Sequence, residues 1–137
     1  MPWSTVPCGE LGFRFVRIVN VDSKDYFVQG VRARFIHRDL HRSASFESSD
    51  PVLNQIWETA ADTLELCMQR YLVDGIKRDR LVWMGDMYPE IVTCGLLYGK
   101  QKIVEESLDF IRDHTPLPEF MNGMFAYTLW WILSHRC

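Results

Sequence analysis

The sequence predicts a mainly α fold, in which helical hairpins follow a short N-terminal region of β-strands. Two observations support this fold class. After residue 48, apolar residues recur every three or four positions, as in helices that bury one face. Before residue 40, apolar and polar residues alternate in places, which is the period of a half-buried strand. Composition and period change together near residue 46, which predicts a division into residues 1–45 and 46–137.

Two strands are predicted in the N-terminal part. Residues 13–19 are rich in bulky side chains, and within residues 26–38 the apolar Val31 and Phe35 alternate with arginines. Two strands alone are not stable in water. We therefore expect them to belong to a larger sheet than this sequence contains.

The first two predicted helices flank a polar connector. Residues 50–72 follow a helix start in which a Ser or Asp50 caps the helix and Pro51 takes the first helical position. Residues 87–98 are nearly all apolar, which predicts a helix buried on most sides and ended by Gly99.

Two more helices follow. Residues 100–114 have one apolar and one charged face, and residues 125–135 are again mostly apolar. Successive helices with apolar faces predict hairpins packed side by side. A four-helix unit should show a polar face on every helix. We therefore expect the neighbours of the apolar helices to be missing, and the chain to be a fragment cut at both ends.

Composition excludes several function classes. The net charge of -3 gives no footprint for nucleic acid. No apolar run reaches the roughly 18 residues that a membrane span needs, and the N-terminus does not resemble a signal peptide. Four cysteines lie far apart, and the histidines lack ligand spacing, so no metal site and no cofactor are predicted. Cys67 and Cys94 are expected to be buried as small apolar residues.

The connector at residues 74–86 concentrates the residues that carry chemistry. Glycoside hydrolysis uses paired carboxylates, and this stretch offers three, Asp74, Asp79 and Asp86. Trp83 offers a ring on which a sugar stacks, and Arg78 offers planar donors to sugar hydroxyls. Glu90 lies four residues after Asp86 on the same helix face, and it is a second candidate for the acid.

Structural interpretations of these residues stay open. Asp86 after Gly85 is equally compatible with a helix cap, and Asp74 with a solvated turn. The charges at residues 77–80 are compatible with an exposed cluster. Trp57 is expected in the core. The tail aromatics, Tyr127, Trp130 and Trp131, are also expected there, although one of them is a candidate to face a sugar.

Two stretches resemble the bacterial α-L-rhamnosidases. Residues 48–57, Ser-Ser-Asp-Pro-Val-Leu-Asn-Gln-Ile-Trp, resemble the helix start that opens their catalytic domain. Residues 74–86, Asp-Gly-Ile-Lys-Arg-Asp-Arg-Leu-Val-Trp-Met-Gly-Asp, are similar to their signature loop, roughly Asp-Cys-Pro-x-Arg-Glu, a short gap and Trp-x-Gly-Asp. The resemblance implies an (α/α)6 toroid of six helical hairpins that begins at residue 46. Residues 1–45 would then be the end of the preceding β-sandwich.

The resemblance also implies roles for individual residues in the inverting hydrolysis of terminal α-L-rhamnosides. Asp74 and Asp86 are expected to hold sugar hydroxyls. Arg78 is expected to anchor the loop or the sugar, and Trp83 to line the pocket. Asp79 falls where the family usually has the general acid, a Glu. Asp is one methylene shorter, and Gly-Ile replaces Cys-Pro, so this is a divergent branch that is open to another sugar.

The implied partners are a rhamnose-containing glycan or glycoside and the remainder of the polypeptide. The family's second carboxylate lies beyond this chain, so we expect the acid half of a site that is inactive alone. The bacterial cytoplasm or periplasm is the implied compartment of the full protein. Three alternatives stay open: a non-catalytic sugar-binding remnant, another six-hairpin glycosidase of the glucoamylase or trehalase kind, and a plain helical interaction module.

Overall fold

A computed structural model describes residues 11–19 and 28–137, and the chain divides into two units, Met1–Phe35 and Ile36–Cys137. Residues 11–19 and 28–38 form neither helix nor strand, so the strands predicted at residues 13–19 and 26–38 are not supported; residues 26 and 27 lie outside the described residues. Alternation assigns side chains to two faces, but it does not supply the neighbouring strand whose backbone hydrogen bonds a strand requires.

The second unit is helical, as predicted, and its core lies between short helices. The helices are α1 (Pro51–Cys67), α2 (Met84–Tyr98), α3 (Lys102–Asp113) and α4 (Phe125–Ser134), with the 3-10 turn Met121–Gly123 directly before α4. The prediction of four helices is confirmed. Two ends differ from it by three residues or more: α1 ends at Cys67 rather than near residue 72, and α2 begins at Met84 rather than Met87.

Each end of α1 has an identifiable cause. The side chain of Asp50 accepts a hydrogen bond from the Val52 N–H at 2.8 Å, which confirms the predicted cap. At the other end, Met68 leaves the helical conformation and pairs with Leu72 in a short antiparallel bridge. The Leu72 N–H donates to the buried hydroxyl of Ser107 at 2.9 Å, so a contact with α3 stops the helix.

Helix α2 lies against α1 and α4, and it carries much of the core. Its buried side chains recur every three or four residues, at Met84, Met87, Ile91, Cys94 and Leu97. The prediction that it is buried on most sides is wrong, because Val92 and Leu96 are exposed. Trp57 packs against the edge of the core, as predicted.

The cysteines behave as small apolar residues where the structure describes them. Cys67 and Cys94 are buried and free, which confirms the prediction, and Cys137 is exposed. Burial is the main cause that raises the pKa of both buried thiols to about 11. Cys8 lies outside the described residues.

Candidate functional site

The connector between α1 and α2 closes on itself at Asp74. The backbone N–H of Asp74 donates to the Leu81 carbonyl at 3.0 Å, and its Oδ1 accepts from the Leu81 N–H at 2.9 Å. These two bonds close the loop of residues 75–80. Asp74 is half-buried, and the alternative of a partly solvated turn residue stays open. One of its carboxylate oxygens is used to hold the loop.

The middle of the loop is an exposed charged turn. Arg78 and Asp79 form an ion pair at 2.9 Å, and the Arg78 side chain is 83% exposed. Lys77 is exposed as well. Exposed ion pairs of this kind contribute about 0–1 kcal/mol to stability. For residues 77–79 the geometry therefore matches the exposed-cluster alternative.

Trp83 is the residue directly before α2, and it is half-buried. Its ring meets the ring of Tyr127 edge to face, with 6.0 Å between the centroids. The Nε1–H of Trp83 is buried and has no hydrogen-bond partner among the described residues. Since most buried polar groups in proteins are paired, an unpaired buried donor here is unusual.

Asp86 and Glu90 follow Trp83 at spacings of three and seven residues, so helical geometry puts all three on one side of α2. Asp86 lies in the first helical turn and is exposed. The alternative in which Asp86 caps the helix is wrong, because the N-cap residue is Trp83. A carboxylate in the first turn still stabilises the helix through its dipole.

Glu90 has the most perturbed carboxyl group of the site. Its Oε2 atom is enclosed and has no hydrogen-bond partner in the described part of the chain. Burial, followed by the charges of Asp86 and Asp74, raises the pKa of Glu90 to about 8. Glu90 and Asp74 in turn help to raise the pKa of the Cys67 thiol at the end of α1. The end of α1, the connector and α2 thus meet around Glu90, which is mostly protonated at neutral pH.

Asn122 holds the backbone around Trp83. Its Oδ1 accepts from the Met84 N–H at 3.0 Å, and its Nδ2–H donates to the Val82 carbonyl at 3.1 Å. The Asn-Gly dipeptide signals a residue with positive φ, and Asn122 has φ 51°. No sequence signal identified the backbone segment Val82–Met84 as the partner of this amide, because the contact joins residues about forty positions apart.

The tail aromatics separate into different roles. Tyr127 packs so closely on Gly85 that an added Cβ would lie 2.3 Å from a ring carbon. Trp131 donates from Nε1 to the Leu108 carbonyl at 3.0 Å and packs on the core, as expected. Trp130 is exposed. Only Tyr127 therefore joins the surroundings of Trp83.

In residues 11–19 and 28–137, no three His, Cys, Asp or Glu side chains lie close enough together to form a metal site. No helix in the same residues is both long and apolar enough to cross a lipid bilayer.

A family model for the bacterial alpha-L-rhamnosidase 6 hairpin glycosidase domain matches residues 41–128. The match covers more than half of the chain and includes α1, α2, α3, the loop and the 3-10 turn. Comparison with curated proteins finds no match. The family match confirms the resemblance carried by residues 48–57 and 74–86. The chain belongs to the bacterial α-L-rhamnosidase six-hairpin glycosidase family.

Proposed function

We propose that the chain contributes the general-acid side of an α-L-rhamnosidase-like glycoside hydrolase, which hydrolyses terminal α-L-rhamnosides with inversion. In this proposal residues 46–137 form the first hairpins of an (α/α)6 toroid. The family match supports the glycosidase class. One observation carries the site: Trp83 and Glu90, on one side of α2, each have an enclosed polar atom that finds no hydrogen-bond partner among the described residues.

The proposed sugar-binding wall combines a ring with charged acceptors. Trp83 provides an apolar face and an N–H donor. Asp86 is exposed beside it, and Asp74 lies near Glu90, so both carboxylates are suited to accept hydrogen bonds from sugar hydroxyls. Arg78 is the outermost member, and its exposed guanidinium is suited to anchor the loop or the sugar.

Two carboxyl groups compete for the acid role. Asp79 holds the position of the family's acid, but it lies in the exposed turn and pairs with Arg78. An ion pair uses the ionised carboxylate, whereas a general acid must hold a proton. The Oε2 atom of Glu90 is enclosed, and the pKa of about 8 keeps this carboxyl mostly protonated at neutral pH. We therefore assign proton donation to the glycosidic oxygen to Glu90, and Asp79 is the alternative.

Inverting hydrolysis also needs a base on the opposite face of the sugar, about 6.5–9.5 Å from the acid, to activate water. The α3 carboxylates are poorly suited, because they form surface ion pairs: Lys100–Glu105, Lys102–Glu106, Arg112–Asp109 and Arg112–Asp113. We propose that the remainder of the polypeptide supplies the base. The 137-residue chain should therefore bind the sugar without hydrolysing it.

Sugar binding and turnover by the 137-residue chain test this function. We expect calorimetry to detect L-rhamnose binding that Trp83→Ala weakens about tenfold or more, in the range of a lost aromatic contact. Trp57→Phe, an indole removed from α1, is the matched control and should leave binding unchanged. A nitrophenyl α-L-rhamnoside should not be hydrolysed.

Each other outcome favours a different alternative. Robust turnover would show that the base lies within the chain. Binding of glucose or trehalose in preference to rhamnose would favour another six-hairpin glycosidase. If the unmodified chain binds no sugar, the result contradicts the proposed function and favours a helical interaction module. Binding by the complete protein without any turnover would favour a non-catalytic remnant.

A further inference from the structure

The side chain of Asn122 binds the backbone on both sides of Trp83. The Val82 carbonyl, which accepts from Nδ2 at 3.1 Å, belongs to the peptide group before Trp83. The Met84 N–H, which donates to Oδ1 at 3.0 Å, belongs to the peptide group after it. Because peptide groups are planar, holding both of them fixes φ and ψ of Trp83. The direction in which the indole leaves the backbone is fixed with them.

Asn122 is itself held in place by the 3-10 turn. Its φ of 51° and ψ of 25° lie in the left-handed region, which Asn tolerates better than most residues. The Gly123 N–H donates to the Phe120 carbonyl at 2.8 Å, which closes the turn. Met121 is buried, and its N–H donates to the hydroxyl of Thr128 on α4 at 3.1 Å. The amide is thus presented by a turn that is anchored to the core.

The same contacts extend to the start of α2. The Trp83 carbonyl accepts from the N–H groups of Asp86 and Met87 at 3.1 and 3.0 Å, so the position of Trp83 sets the first helical turn. Tyr127 packs on both Trp83 and Gly85. Residues 121–127 therefore contact and hold in place the start of α2, which carries the candidate site.

We propose that Asn122 is a positioning residue of the candidate sugar site, which orients Trp83 and the first turn of α2 before the sugar arrives. This inference rests on the proposed function. Asn122 acts through Trp83 rather than on the sugar. When a loop is already ordered before the ligand binds, binding carries a smaller entropic cost, so the affinity is higher.

Asn122→Gly tests the proposal, because Gly accepts the left-handed conformation while both side-chain hydrogen bonds are lost. Asn122→Asp is a second variant, which keeps an acceptor for the Met84 N–H but lacks the donor to Val82. Asn54 offers a matched control. Its Oδ1 accepts from the Ser48 N–H at 2.8 Å and its Nδ2–H donates to the Ser48 carbonyl at 3.0 Å, so Asn54→Ala removes the same pair of bonds at the start of α1.

Three quantities are measured for each variant: the Kd for L-rhamnose, the NMR signal of the Trp83 Nε1–H and the midpoint of unfolding. Trp83→Phe assigns the signal. Asn122→Gly should raise the Kd about tenfold, because the indole must then be ordered on binding, and it should shift and broaden the signal. Asn122→Asp should show the same changes to a smaller extent. Asn54→Ala should lower the midpoint only.

An unchanged Kd and an unchanged indole signal in Asn122→Gly would overturn the proposal. A rise in Kd of equal size in Asn54→Ala would also overturn it, because the effect would then follow general stability. If the unmodified chain does not bind L-rhamnose, the proposed function fails. In that case the indole signal still decides whether Asn122 orients Trp83.

Discussion

Glu90 lies where three influences on its carboxyl group act in the same direction. Burial removes the water that would solvate a charge, and the neighbouring Asp86 and Asp74 repel it. No cation among the causes of the shift opposes them. Arg78 in the loop pairs with Asp79 instead. The pKa of Glu90 is therefore about 8, so its neutral form predominates below about that pH. A proton donor needs this property at neutral pH.

Glu90 should make the stability of the chain depend on pH. The pKa rises from 4.5 to about 8 on folding. Between these values the unfolded chain has lost the proton and the folded chain still holds it, so the free energy of unfolding falls as the pH rises. We expect a loss of about 1–2 kcal/mol across this window, well below the full shift, because the side chain is partly solvated. Urea unfolding at several pH values measures it.

Glu90→Gln keeps the shape of the side chain and cannot ionise, so it should remove this pH dependence. Glu106→Gln, on the surface of α3 beside Lys102, is the control and should leave it intact. A carbon NMR titration of the glutamate carboxyls should show one group that titrates near the pKa of Glu90 and is absent from Glu90→Gln. Equal pH dependence in Glu90→Gln and the unmodified chain would contradict the assignment.

At the scale of the elements, α2 and α4 meet at a glycine. The Gly85 Cα faces the Tyr127 ring, and an added Cβ would lie 2.3 Å from it. The ring is also held edge to face by Trp83. Gly85→Ala should therefore lower the free energy of unfolding by about 1–3 kcal/mol, the usual cost of overpacking. Chemical denaturation measures the change.

Gly95 is the matched control on the same helix. An added Cβ there meets nothing within 4 Å, and the residue is exposed. Gly95→Ala should raise stability by roughly 0.5–1 kcal/mol, because Ala has the higher helix propensity. A loss of equal size at both positions would show that backbone conformation, and not the Tyr127 contact, is responsible.

Two buried serines differ in one hydrogen bond that joins α3 to the connector. Ser107 and Ser134 each donate to the carbonyl four residues earlier, at Ile103 and Trp130. Only Ser107 also accepts from the Leu72 N–H. Ser107→Ala should cost about 1–3 kcal/mol, because a buried N–H loses its partner. Ser134→Ala should change stability by about 0.5 kcal/mol or less, and similar losses for the two would refute the role of Leu72.

The same contacts explain which helix ends were predictable. The start of α1 was visible in the sequence, because Asp50 and Pro51 act on their own neighbours. The end of α1 at Cys67 was not, because the Leu72 N–H is taken by Ser107 from α3. The early start of α2 likewise depends on Asn122, which binds the Met84 N–H from a distant turn. Local pattern predicts local causes and misses partners that folding brings together.

On the scale of the whole molecule, the same limit applies to the candidate site. Order and spacing identified the loop residues, including Asp79, and the family match confirms the kinship behind them. Burial was not visible, and it separates the two carboxyl groups: the Oε2 atom of Glu90 is enclosed, whereas Asp79 pairs with Arg78 in the turn. The predicted strands failed for a related reason, because alternating residues such as Val31 and Phe35 indicate faces without providing a paired strand.

Helix α4 gives the molecule an apolar outer surface. Phe125, Leu129, Ile132 and Leu133 recur at helical spacing and are all exposed. Patches of this kind usually mark contact surfaces. We therefore expect the 137-residue chain to self-associate reversibly as its concentration rises, which sedimentation measures.

Replacing Leu129 and Leu133 together by Lys should weaken this association about tenfold or more, because two apolar groups are lost and like charges repel across the contact. The unfolding midpoint should change little, since neither side chain belongs to the buried core. Leu117→Lys is the control, because Leu117 is 94% exposed in a loop outside the apolar surface of α4. If the double variant associates as strongly as Leu117→Lys, the surface of α4 is not where the chains meet.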